Sequence, residues 1–69
     1  MTETYRGHSI RVTRAGFWDA VITHAETGII FPTKARAELE EGAAVAIARA
    51  CRLIDLYLDA TSSQRWHAA

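Results

Sequence analysis

The groups in this chain that can act as acid, base or nucleophile are His8, His24, His67, Asp19, Asp55, Cys51 and a few hydroxyls. Acid–base catalysis needs two such groups held within hydrogen-bond reach in one pocket, and no pair here falls into a motif that would hold them so. Metal ligation would need histidines one helical turn apart or paired cysteines. The chain has three scattered histidines and a single cysteine. Gly7, Gly16, Gly28 and Gly42 stand singly, so no glycine loop could cradle a phosphate. Cys51, in an alanine-rich stretch, reads as a small buried thiol. His24 falls on the inward face of a strand beside a turn, and His8 stands before a strand, where it can cover the end of a helix. The expectation is therefore a protein that is not an enzyme, with no catalytic residue, cofactor or metal ligand.

These residues must be positioned by a small scaffold. A chain of 69 residues holds one core, and cores of that size supply only about 3 to 5 kcal/mol of net stability unless a disulfide, a metal or a partner adds to it. With one cysteine no internal disulfide can form, which points to a partner subunit and to a reducing, cytoplasmic setting. Residues 1–4 carry no basic segment leading into an apolar run. The longest apolar stretch, residues 42–58, is interrupted by Arg49, Arg52 and Asp55, so no membrane span is expected. Eight bases balance eight acids, which removes any overall pull toward nucleic acid or anionic lipid. The first 36 residues carry a small basic excess and the rest an acidic one; Glu38, Glu40 and Glu41 are read as stabilising the positive end of a helix.

Residues 9–13 alternate polar and apolar with Ile10 and Val12 inward, the period of a half-buried strand. Ala15-Gly16 breaks the run. Alternation resumes over 17–24, with Trp18, Ala20 and Ile22 on one face and Phe17, Asp19, Val21 and Thr23 on the other. Glu26-Thr27-Gly28 is a turn, because glycine takes the positive φ that such turns demand. A third strand is expected over 29–36, at an edge or bulged, since Pro32 has no N–H for a ladder. From Leu39 the period becomes helical: Leu39, Ala43, Ala46, Ile47, Ala50, Leu53, Ile54 and Tyr57 recur at spacings of three and four. The helix is placed from about Glu38, with Gly42 in its first turns; a start at Pro32-Thr33 is the alternative. The fold class is α+β, a three-stranded antiparallel meander with one long C-terminal helix on one face. It forms a single domain over 1–59, with a flexible tail over 60–69.

The segments Tyr5-Arg6-Gly7-His8-Ser9-Ile10, Gly16-Phe17-Trp18-Asp19-Ala20 and Glu40-Glu41-Gly42, followed by Ala46, Ala50 and Ile54-Asp55, resemble a pattern in small bacterial β-β-β-α proteins. The resemblance covers Tyr5 to Asp55 and implies a fold. The order of three strands and a helix is also similar in shape to the N-terminal half of HicB-type antitoxins, whose sheet and helix bind a small toxin ribonuclease.

With the helix on one sheet face, the other face carries Arg11, Thr13, Phe17, Asp19, Val21 and Thr23, joined by Ile30, Lys34 and Arg36. Phe17, Val21 and Ile30 make it a candidate contact surface, and Val45 and Leu56 form a second one on the back of the helix. The expected function is a small protein-interaction module, a homodimer or the binder of a small protein partner. A nucleic-acid module is the alternative, with Arg11, Arg14, Lys34 and Arg36 on phosphates and Phe17 stacking on a base.

Overall fold

A computed structural model describes the backbone of residues 2–68 and the side chains of residues 2–60. Strands β1 (Thr2–Tyr5), β2 (His8–Arg14), β3 (Trp18–His24) and β4 (Ala35–Ala37) form one antiparallel sheet in chain order, followed by helix α1 (Ala43–Ala68). The α+β class and the antiparallel meander are as expected, but the sheet has four strands. The added strand is β1, whose residues Thr-Glu-Thr-Tyr are mostly exposed. A polar edge strand has no inward apolar residues to set a period.

β1 and β2 are joined by Arg6 and Gly7 alone, and both have positive φ, 47° and 79°. That is the backbone of a type I′ hairpin, whose twist matches the strands it joins. In β2 and β3 the register places Ile10 opposite Ile22 and Val12 opposite Ala20. All four are buried, as the period-two pattern requires.

The third strand expected over 29–36 is broken in two. Ile30 makes an isolated bridge with Thr23, and the Phe31 N–H donates to the Ile22 carbonyl at 2.9 Å. Pro32 then has no N–H to give, and pairing resumes only at Ala35 opposite Ala20.

The helix also starts later than expected. Residues 38–41 close a turn on themselves: the Glu41 N–H donates to the Glu38 carbonyl at 3.0 Å, and the Glu38 N–H donates to Glu41 Oε1 at 2.9 Å. Gly42, with φ of 93°, lies ahead of α1 and not inside it. The acids Glu38, Glu40 and Glu41 therefore precede the helix, and its first turn contains none. Instead, Arg49 reaches back from α1 in a paired contact with Glu41, at 3.1 and 2.7 Å, and donates to the Arg36 carbonyl at 2.8 Å.

The helix presents Ala46, Ala50 and Ile54, one turn apart and fully buried, to Ala35 and Ala37 of β4 and to the inward residues of β2 and β3. Small side chains on both surfaces let helix and sheet approach closely. Among the described residues only Ile10, Ile22 and Ile54 are large and fully buried. Trp18 is half-buried and packs against this cluster, closing the open end of the sheet with its indole N–H 3.4 Å from the Leu39 carbonyl. Tyr57, placed in the apolar stripe by its spacing, is 53% exposed, and Leu39 lies outside the helix. The flexible tail expected over 60–69 falls, from residue 61 onward, outside the described side chains.

Candidate functional site

Where β2 and β3 end beside α1, the chain cannot fill the seam between sheet and helix. A cleft of about 360 Å³ opens there. Its floor is His8, the first residue of β2, which is 2% exposed. His24 stands opposite His8 in the strand register, and their rings meet edge to face with centroids 5.1 Å apart. Phe31 meets His8 in the same manner at 5.4 Å, and its other neighbour is the Tyr57 ring at 5.3 Å. Ile29, Ile30, Pro32 and Thr27 complete the lining. Among the described residues, no aspartate, glutamate, lysine or arginine lines the cleft.

The loop over 25–34 is held by local bonds. The Gly28 N–H donates to the His24 carbonyl, and the His24 N–H to the Ile29 carbonyl, both at 2.8 Å. His24 Nδ1 accepts from the Thr27 N–H at 3.3 Å and lies 3.0 Å from Thr27 Oγ1, which itself accepts from the Ile29 N–H at 3.3 Å. A ring nitrogen that accepts from an amide carries no hydrogen, so neutral His24 is protonated on Nε2. His8 has the opposite tautomer. Its Nδ1 is 2.9 Å from the Arg6 carbonyl, a group that can only accept, so in the neutral ring Nδ1 bears the hydrogen and Nε2 keeps its lone pair.

That lone pair is the anomaly of the site. His8 Nε2 is sealed from solvent and has no hydrogen-bond partner among the described residues. A buried polar atom left without a partner costs about 1 to 3 kcal/mol. Around it, Ile29 and Ile30 are 66% and 61% exposed, an apolar rim on a surface that gains nothing by wetting them.

Next to the cleft lies a polar clamp. Asp55 of α1 accepts from the Tyr5 hydroxyl at 2.9 Å and from the Arg6 guanidinium at 2.7 Å, tying the β1–β2 hairpin to the helix. The Arg6 contact first, and the Tyr5 bond second, hold the Asp55 carboxyl below its ordinary range. The same bond to Asp55 pushes the Tyr5 phenol up. Cys51 is half-buried, and burial foremost raises its thiol, which keeps it protonated and unreactive near neutrality.

The residues expected to make contacts are distributed as follows. Phe17 is half-buried, with the Arg36 guanidinium stacked 3.6 Å over its ring, and Arg36 also bonds Asp19 at 3.3 Å. Val21 is half-buried across from Arg11 on the face away from the helix. Ile30 pairs with Thr23 and lines the cleft. Val45 is not on an open helix back: it is half-buried and packs against the core cluster. Leu56 is 53% exposed. Of the four cations, Arg36 sits on Phe17, Arg14 lies 5.7 Å over Trp18, and Arg11 and Lys34 are exposed. Of the segments quoted for the bacterial pattern, the first and the last meet, at Tyr5, Arg6 and Asp55. Sequence reasoning missed the cleft, reading its apolar run Ile29-Ile30-Phe31-Pro32 as strand; the signal was its richness in large apolar residues directly after a glycine turn.

Against protein-family models, curated proteins and solved structures alike, the chain finds no match. Among the described residues no three of histidine, cysteine, aspartate and glutamate gather as a metal site, and no helix is long and apolar enough to cross a membrane.

Proposed function

We propose that this protein is a non-catalytic binding module whose working site is the cleft floored by His8, and that it receives a neutral, largely apolar small molecule there. The observation that carries this reading is a cleft of about 360 Å³, within the range of roughly 300 to 1,000 Å³ typical of ligand sites, ringed by exposed isoleucines over an unsatisfied buried imidazole. Among the described residues its walls are apolar or neutral, which favours a neutral ligand over an ion.

Amide shifts during titration with a panel of neutral aromatic fragments test the reading. The expected outcome is saturable shifts confined to residues 24–32 and the turn of helix around Tyr57, weakened about tenfold or more by Ile30→Asp. Shifts centred on Arg11 and Val21, or none up to low-millimolar fragment, would contradict it.

Self-association is the second reading, favoured by Leu56, which extends the exposed apolar surface next to Tyr57. In that case sedimentation shows a dimer, and Leu56→Asp returns it to monomer. Nucleic-acid binding finds less support, since stacking on Phe17 would have to displace Arg36 from one side of the ring.

A further inference from the structure

The proposed cleft has one feature that selects among neutral ligands, and resting on that reading we infer that it takes a flat aromatic ring carrying one N–H or O–H donor, of the phenol or indole class, with the donor bound by His8 Nε2. The tautomer is decisive. Because the Arg6 carbonyl at 2.9 Å claims the hydrogen on Nδ1, the buried Nε2 offers a lone pair and accepts. No described protein group supplies the missing donor, so a ligand hydrogen bond there has no internal bond to break. A ligand that is itself an acceptor at that point meets a lone pair and is rejected.

The shape of the remainder follows from the walls. Phe31 and His24 already stand edge to face on the His8 ring, and Phe31 leans on Tyr57 at a 59° tilt. An added flat ring continues this cluster in the offset or perpendicular geometries that aromatic groups favour. Size agrees, because an apolar cavity of roughly 150 Å³ already takes benzene and this cleft measures about 360 Å³. Nε2 is covered in the unliganded protein, so a side chain packed on the His8 ring has to turn aside on binding, and of the two rings there, His24 and Phe31, we take Phe31. Its backbone stays fixed by the bond to the Ile22 carbonyl, and its ring sits on a loop without regular structure, where such a turn is local.

Four probes on the wild-type protein test this: indole, 1-methylindole, phenol and anisole, titrated at neutral pH with amide and ring shifts as the readout. Indole and phenol should bind with dissociation constants on the order of 1 mM, and each should exceed its methylated counterpart by about five- to tenfold. His8→Phe keeps the ring contacts and removes the acceptor, so it should abolish the difference between the members of each pair while all four still bind. Equal affinity of methylated and unmethylated probes for the wild type would overturn the donor assignment and leave the cleft as an apolar site. If none of the four perturbs the cleft residues, the small-molecule reading itself fails with it. The comparison within wild type stands whatever the stability of His8→Phe.

Discussion

Two residues hold the chemistry of this fold in tension. Arg6 takes a left-handed backbone conformation, φ 47°, that non-glycine residues adopt uncommonly, and its side chain reaches Asp55 at 2.7 Å. Asparagine tolerates that backbone well, so Arg6→Asn isolates the ion pair from the turn. It should lower the urea midpoint at pH 7 despite relieving the backbone; an unchanged or higher midpoint would mean the pair contributes nothing. Asp55 supplies the pH dependence. Its folded pKa is depressed by Arg6 and Tyr5, so the stabilisation is complete above the unfolded aspartate range near 4 and is lost as pH falls through the lower folded value. The difference in urea midpoint between wild type and Asp55→Asn should be largest at neutral pH and shrink progressively as pH falls through the depressed folded value. A constant gap across that range would show that Asp55 acts through packing and not through charge. Glu41, lowered by Arg49 and then by the Glu38 N–H, adds to the same acid loss.

At the level of elements, the turn before α1 depends on Gly42. Its φ of 93° suits glycine, and although a Cβ there would meet no neighbour, the backbone itself would be strained. Gly42→Ala should cost roughly 1 to 2 kcal/mol by chemical denaturation, whereas a helix that began at Glu38 would gain from the same change. This element also shows what the sequence could and could not reveal. Period-two alternation identified β2 and β3 and their inward residues, because burial of Ile10, Val12, Ala20 and Ile22 leaves a direct trace in residue type; their register did not follow from it. The stripe of Ala46, Ala50 and Ile54 was equally plain. The polar β1 leaves no such trace. Nor does the pairing of Glu41 with Arg49, which draws residues 38–41 out of the helix through a contact eight positions away. The cleft was hidden for a related reason: Phe31 and Tyr57 read as strand and helix core, and only their meeting across the seam shows that the core stops short of them.

For the molecule as a whole, the core among the described residues is assembled mainly from alanines with three large, fully buried isoleucines. Ile54→Ala should therefore remove about 2 to 5 kcal/mol, comparable with the entire net stability of a domain this small. Thermal melting by circular dichroism should find that variant largely unfolded at 37 °C, and a melt resembling wild type would mean that the stability resides elsewhere. The alanine surfaces bring helix and sheet close together over β4 and leave the far end, beneath Tyr57, unfilled. Close packing and open cleft are thus two ends of one arrangement, and the cleft is where the molecule has apolar surface to offer. Intermolecular NOEs from bound indole to the side chains of the wild-type protein measure this directly. They should connect the ligand ring to Phe31, His24 and Tyr57, with none to Phe17 or Val21; contacts to the outer sheet face instead, or no contacts at saturating indole, would contradict the cleft as the working site.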